Sequence, residues 1–520
     1  MDQKPADEQP VSGYSWYVLG VLVLVYILNF VDRQILSILA NDIKADLKLS
    51  DADLGFLYGT AFAVFYALFG IPLGRLADSW HRVRLLSLGL ALWSIMTAVS
   101  GFARNGSMLT AARIGVGVGE ATASPAAYSL ISDMFPKRLR GTALAIYSSG
   151  LYLGGGLSLL IAGLIVERWN SAFPGGGPLG LAGWQAAFII VGLPGLLLAV
   201  WVATLREPIR GAIDGLPTPS DPHPFRGFTA ELLDVIPPLT LIGAARRGTA
   251  ALALNLVVVA LIALAVFGLT WLLGESTAKQ WIFIGVGVYA VYCWASALRS
   301  RDRPTFELIW GSPAFLCVTL GYGMVAFIAY AASYWGAPYA ERVFDISKTD
   351  LGWLIGAPAA VAGFIGVILG GRAADLLQMR FANGQVMVVL FGLLALIAPL
   401  IAAYTASSFI AFAVLSFLAV MAYSSALGAA AAASQALVLP RMRGTATATF
   451  FLATTLVGLA LGPFMAGYVS ASTGDDLAKG VLSTLVVVPL GVVLLVAALR
   501  SVPAAAATVI ERAVAAGERM

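Results

Sequence analysis

Residues 16–39 read WYVLGVLVLVYILNFVDRQILSIL, a run whose only charged members are the adjacent Asp32 and Arg33. At 1.5 Å per residue, a helix of this length crosses a hydrocarbon core of ~30 Å. Runs of the same kind recur at Leu54–Ala77, Leu85–Ala103, Met108–Ser129, Thr142–Val166 and Trp184–Leu205. After a polar, Pro-rich stretch come Ala250–Leu273 and Trp281–Leu298, then Pro313–Tyr339, Leu351–Leu377, Val386–Tyr404, Phe409–Ala433, Thr445–Val469 and Val481–Leu499. The expectation is an all-α polytopic membrane protein of about fourteen spans arranged six, two and six.

Composition agrees with lipid as the solvent. The chain is 59% hydrophobic and 12% charged with a mean hydropathy of +0.86, far too apolar for one water-soluble core. Its 55 glycines suit close helix approach and its 12 tryptophans suit interfacial anchoring. A net charge of +4 is too small and scattered for nucleic acid. Cys293 and Cys317 lie in apolar runs, which points to packing roles and to neither a disulfide nor a metal site. No cofactor is expected. The polar, acidic Met1–Val11 stretch lacks the layout of a cleavable signal peptide, so the first span is expected to be retained. A membrane-embedded enzyme would need a nucleophile with its base or a metal set, and the two histidines, His81 and His223, form neither.

Basic residues recur in alternate loops: Arg82 and Arg84, Lys137 to Arg140, Arg206 and Arg210, then Arg299 to Arg303, Arg372, Arg380, Arg441, Arg443 and Arg500. The positive-inside rule then places these loops and both termini in the cytoplasm, in the inner membrane if the source is bacterial. The expected organisation is a cytoplasmic tail (1–15), a six-helix half (16–205), a cytoplasmic linker (206–249), two inserted helices (250–303), a second six-helix half (304–500) and a cytoplasmic tail (501–520).

The halves echo each other. Gly74-Arg75-Leu76-Ala77-Asp78 ends the second span of one half, and Gly371-Arg372-Ala373-Ala374-Asp375 ends the second span of the other. Pro136-Lys137-Arg138-Leu139-Arg140-Gly141-Thr142-Ala143 is matched by Pro440-Arg441-Met442-Arg443-Gly444-Thr445-Ala446. Parallel repeats of this kind mark the major facilitator fold, which holds its substrate near the midplane between the halves. Gly74-x3-Asp78 followed by Arg82 is similar to that superfamily's motif after the second helix, departing from it at Ser79 and His81. Arg113 with Gly117 and Gly119 resembles the motif of the fourth helix. Asn29-Phe30-Val31-Asp32-Arg33 and Gly117-Val118-Gly119-Glu120-Ala121 resemble the spinster family, including its bacterial members. That resemblance implies proton-coupled export or flipping of lysolipid or sphingoid-phosphate molecules by alternating access.

An ionised side chain at mid-span costs ~2.5 to 3.5 kcal/mol on insertion scales and therefore needs a partner or a wet cavity. In the first half these are Asp32, Arg33, Arg113 and Glu120; the second half has none at comparable depth. Helical rise places Asp32 and Arg113 at similar depth, where they can meet. Glu120 lies two turns beyond Arg113, too far for an adjacent-turn pair, and needs a partner of its own. The expected mechanism has Asp32 and Glu120 exchange protons while Arg33 and Arg113 change partners, the same four positions that the spinster resemblance implies. The bland alternative is a static salt-bridge cluster that fixes packing.

Phe62 and Tyr66 on the second span and, leaving out the inserted pair, Tyr330 and Tyr334 on the seventh main span and Tyr423 on the tenth are candidates for an apolar cavity wall. Arg33 and Arg113 would hold an anionic head group, since guanidinium offers a planar fork to phosphate. Gly74, Asp78, Arg82, Arg140, Asp375 and Arg443 are the cytoplasmic gate candidates, their alternative role being helix capping and topology signalling. Expected partners are an amphipathic small molecule or lipid, protons and the bilayer, with no nucleic acid and a monomeric chain. A drug, organic-anion or sugar-phosphate carrier of the same fold and a passive lipid scramblase are the competing readings.

Overall fold

A computed structural model describes residues 11–214 and 221–518 of the chain. Residues 1–10 of the expected N-terminal tail, 215–220 of the linker and the last two of the C-terminal tail lie outside the described residues. Every described element is a helix, and 13 described helices are long and apolar enough to cross a membrane.

The first three spans are Gly13–Ile38, Asp51–Ser79 and Arg82–Ser100. The fourth differs from the single helix expected. It runs as Gly106–Glu120 and Ala123–Met134, with a break at Ala121 and Thr122. The sequence explains the break: Pro125 has no amide hydrogen and is tolerated only within the first turn of a new helix. Thr122 then turns its hydroxyl onto the Gly119 carbonyl at 2.9 Å. Glu120 is thereby the last residue of a helix. The fifth and sixth spans are Lys137–Ala172 and Gly183–Ala203.

The inserted pair is Thr249–Leu273 and Ala278–Arg301. Asn255 is the one fully buried side chain of the first inserted helix, most of whose leucines and valines are exposed as a lipid-facing helix requires. Its amide donates to the Ala251 carbonyl at 3.0 Å and accepts from the Tyr289 hydroxyl at 3.3 Å and the Cys293 thiol at 3.1 Å. Cys293 is thus a hydrogen-bonding as well as a packing residue. The second half then follows as Pro313–Phe344, Lys348–Gln378, Gly384–Tyr404, Phe409–Gln435, Pro440–Ser472 and Leu477–Ala507.

Two compact units emerge, and they do not follow the sequence halves strictly. The first contains residues 1–43, 68–233 and 347–357; the second contains 44–67, 234–346 and 358–520. Each half therefore lends the start of its second span to the unit built mainly from the other half.

The exchanged segments are a third internal echo. Leu49-Ser50-Asp51-Ala52-Asp53-Leu54-Gly55-Phe56-Leu57-Tyr58-Gly59 matches Ile346-Ser347-Lys348-Thr349-Asp350-Leu351-Gly352-Trp353-Leu354-Ile355-Gly356. Ser50 and Ser347 cap their helices identically, each accepting from the amide three residues on at 3.1 Å. In the second unit a Cβ on Gly55 would lie 2.4 Å from the Pro463 carbonyl, and one on Gly467 2.3 Å from the Asp51 carbonyl. In the first unit a Cβ on Gly352 would lie 2.5 Å from the Leu160 Cα, and one on Gly163 2.5 Å from the Lys348 carbonyl. Such distances exclude any side chain, so both docks depend on glycine on both faces.

Candidate functional site

The first unit gathers all four charged candidates in its interior. The first span crosses the fifth closely: a Cβ on Gly154 would lie 2.4 Å from the Ile27 carbonyl, and Ser158 donates to the Val31 carbonyl at 2.8 Å. The third and fourth spans meet through Gly119, whose hypothetical Cβ would lie 2.7 Å from the Trp93 amide nitrogen. The Asp32-Arg33 pair meets the fourth span at Arg113 and Glu120.

Arg33 donates to Glu120 Oε2 at 2.7 Å, a buried ion pair. This is the partner that the depth argument required for Glu120. Asn29 stands beside the same carboxylate. Arg113 and Asp32 do meet, but through the main chain: Arg113 Nη1 donates to the Asp32 carbonyl at 3.3 Å. The Asp32 carboxyl is fully buried, and neither of its oxygens accepts a well-aligned hydrogen bond among the described residues. Trp93 and Thr97 flank it. One acid is therefore paired with a cation, while the other has only Trp93 and Thr97 beside it and a second cation within reach. A buried charge without a partner costs several kcal/mol, so the charge on Asp32 is tied to where Arg113 points.

A packed aromatic cluster adjoins these charges, and sequence reasoning missed it. The Arg33 guanidinium lies 4.7 Å from the centroid of the Phe30 ring. Phe30 packs edge-on to Tyr26, which stacks on Tyr147 at 4.4 Å, and Tyr147 meets Tyr128 at 5.5 Å. Tyr26 and Phe30 are four apart on a helix already marked by Asp32 and Arg33, the one sequence signal for this cluster.

The predicted cavity residues lie in the second unit, including Phe62 and Tyr66 from the exchanged segment. Phe62 stacks on Tyr66 at 5.4 Å, and Tyr334 stacks on Tyr58 at 4.2 Å. Phe62 and Tyr334 are fully buried, whereas Tyr66, Tyr330 and Tyr423 are half-buried.

Among the gate candidates, Arg82 is fully buried in the first unit. It donates to Glu207 at 2.7 Å, to the Ser129 hydroxyl at 2.9 Å, to the Pro208 carbonyl at 2.9 Å and also to Asp133. Arg140 donates to both oxygens of Asp214 at 3.1 Å. Arg210 caps the end of the second span through the Ala77 and Trp80 carbonyls, each at 2.6 Å, and burial pulls its guanidinium below its usual range. Asp78 sits among Arg75, Arg82 and Arg210, and Gly74 lies beside Pro125. Linker residues thus hold Arg82 and Arg140. Asp375 and Arg443 are exposed in the second unit.

Asp51 and Lys348 were also missed, because both sit in stretches that read as solvated loops. Asp51 is fully buried and accepts two bonds from Arg342 at 2.8 Å, one from Lys44 at 2.9 Å and one from Ser470 at 2.7 Å. Lys348, at the matching position of the other repeat, carries the opposite charge and reaches Asp42 and the Ile38 carbonyl, both at 3.3 Å. Glu167 accepts from the Thr349 amide at 3.1 Å and from its hydroxyl.

This helical plan, its repeats and its intramembrane charges define a class. The Major Facilitator Superfamily profile matches residues 22–340, and the chain belongs to that superfamily of membrane transporters. Within it the chain resembles the spinster proteins. A bacterial homologue of the human lysosomal transporter Spinster, solved inward-facing and unoccupied, matches with a TM-score of 0.67 at 27% identity, covering 97% of this chain and 99% of that one. An MFS-type efflux pump of Mycolicibacterium smegmatis is 27% identical over 490 residues, covering 94% of this chain and 91% of the relative. Protein spinster of Drosophila melanogaster is 22% identical over 485 residues, 91% of this chain and 65% of its own length.

Proposed function

We propose that this transporter moves an amphipathic anion of the lysolipid or sphingoid-phosphate type by alternating access, coupled to protons. The observation that carries the reading is the first unit's interior, where the Arg33–Glu120 pair, the buried Asp32 carboxyl and the rings of Phe30, Tyr26 and Tyr147 adjoin one another. An anionic head competes with Glu120 for Arg33, while the apolar part of the same molecule covers the rings. Release of Glu120 leaves a buried carboxylate without its cation, which favours proton uptake; Asp32 is the second proton carrier as Arg113 turns toward or away from it. The likeness to spinster and to an efflux pump supports an amphiphile moved outward. Arg82, Arg140, Asp78 and Gly74 serve as the gate on the side of the linker, with the linker acids Glu207 and Asp214 as the partners of Arg82 and Arg140.

A sugar-acid carrier is the second reading, favoured by a 29% identity over 204 residues, 38% of this chain and 42% of the relative, to a probable galactarate/D-glucarate transporter of Bacillus subtilis. Proteoliposomes containing the purified chain separate the two. Lysophosphatidylglycerol or sphingosine phosphate is expected to move faster under an imposed pH gradient and to stop when the gradient is collapsed. Movement of galactarate alone under the same gradient would overturn the amphiphile reading.

A further inference from the structure

A cavity of about 340 Å³ opens in the first unit where the first span begins and the sixth ends, a volume at the small end of ligand pockets. Ser12, Tyr14, Ser15, Asp133, Arg206 and Glu207 are among its walls. The two acids are already committed. Asp133 accepts from the Gly211 amide at 3.0 Å and from Arg82. Glu207 accepts from Arg82 Nε at 2.7 Å and from the Val83 amide at 2.9 Å, so all four carboxylate oxygens are in use.

The donors are not committed in the same way. Arg206 is exposed, its guanidinium lies 5.6 Å from the centroid of the Tyr14 ring, and no carboxylate pairs with it among the described residues. The Tyr14 hydroxyl accepts from the Arg206 amide at 2.6 Å, which leaves its own proton to donate. The Ser12 and Ser15 hydroxyls lie 2.9 Å apart, and only one proton is needed between them. The cavity therefore presents a guanidinium fork and free hydroxyl protons, and no uncommitted anion.

Its surroundings place it at a membrane surface. Trp16, Tyr17 and Trp201 are 42%, 44% and 41% exposed, and Trp201 Nε1 donates to the Tyr17 hydroxyl at 2.6 Å. Amphipathic rings in this arrangement mark the level of lipid head groups. Leu197 and Val200, 76% and 68% exposed, continue from the rings along the sixth span as a lipid-facing track.

We propose that this cavity binds a phosphate ester group through Arg206 and Tyr14, presented by an anionic lipid whose chains lie along the ring and leucine track. A soluble phosphate ester carries the same group, and the test separates the two sources. The full chain in detergent is titrated with phosphatidylglycerol, phosphatidylcholine or glycerol 3-phosphate, and bound adducts are counted by native mass spectrometry. Phosphatidylglycerol is expected to bind wild type about fivefold more tightly than Arg206→Gln, the effect of one surface cation on an anionic lipid. Arg206→Lys is expected to keep part of the difference, Tyr14→Phe to lose a smaller part, and phosphatidylcholine to show no dependence on residue 206. Equal phosphatidylglycerol binding by wild type and Arg206→Gln, with unchanged unfolding temperature, would overturn the site. If glycerol 3-phosphate binds as well as phosphatidylglycerol with the same Arg206 dependence, the phosphate site stands and the lipid assignment fails.

Discussion

Replacing Asp51 with Asn tests how the exchanged segment of the second span is held. The native carboxylate takes four side-chain bonds from Arg342, Lys44 and Ser470 while fully buried. Asn keeps the shape, removes the charge and turns a donor group toward Arg342. Hydrogen bonds to a charged group contribute about 1.5 to 3 kcal/mol each, and removing one member of a buried pair costs about 3 to 5 kcal/mol. Arg342 and Lys44 keep 22% and 21% of their side-chain surface in contact with solvent, and Lys44 has a second partner in Asp475 at 2.8 Å. Solvent and Asp475 therefore recover part of the loss, and the net weakening of the dock is about 2 to 4 kcal/mol. Amide hydrogen exchange over Asp51–Tyr58 reads this directly, with protection expected to fall by about 30- to 1,000-fold. A double-mutant cycle with Arg342→Ala should show coupling above about 1 kcal/mol. Protection within threefold of wild type, or additive single effects, would refute the reasoning.

Four further outcomes follow from the same contacts. Gly467→Val and Gly163→Val each place methyl groups where the Asp51 and Lys348 carbonyls lie, so each should raise hydrogen exchange in the segment it faces, residues 50–58 and 347–357 respectively, while leaving the other segment protected. Asn255→Leu should weaken the inserted helix pair by about 0.6 to 1.7 kcal/mol, read as a lower unfolding temperature in detergent. Burial pushes the Asp302 carboxyl up, but its bonds from Arg441 and Thr305 outweigh this and hold it below the usual range; Arg441 holds Glu518 low as well. Because both carboxyls are depressed in the folded chain, the stability they give is present above their ordinary values of about 4 and is lost as pH falls through the lower folded ones, so proteolysis within residues 509–518 should increase only in that acidic range. Lys348→Met should expose residues 347–357 less than Asp51→Asn exposes 50–58, because the Lys348–Asp42 contact at 3.3 Å is longer than the 2.7 to 2.9 Å bonds on Asp51.

Much of the architecture was legible because lipid imposes a single rule on every span. Length and apolarity mark each helix, and Asp32, Arg33, Arg113 and Glu120 stand out because few charges are tolerated there. Their pairing was less legible. Arg33 and Asp32 are adjacent in sequence and so point about 100° apart, and spacing alone does not say which of them faces the fourth span. Asp51 and Lys348 read as loop charges because they sit at span ends, where charge is ordinarily solvated. The repeat around Ser50 and Ser347 is the signal that they share a buried role, and it becomes decisive only beside Gly163 and Gly467, which lie more than a hundred residues away from the helix ends that they contact. The engagement of Arg82 and Arg140 by Glu207 and Asp214 lay hidden for a similar reason, since a polar linker gives no periodicity from which a contact can be read.

The most direct test of proton coupling is substrate-driven proton movement in proteoliposomes carrying wild type, Asp32→Asn or Glu120→Gln, with substrate binding measured in parallel on the same preparations. Both variants are expected to bind the amphiphile and to move fewer protons with it than wild type. Proton movement at the wild-type ratio in either variant would contradict the role given to that carboxyl, and in both it would leave the four charges as a packing cluster.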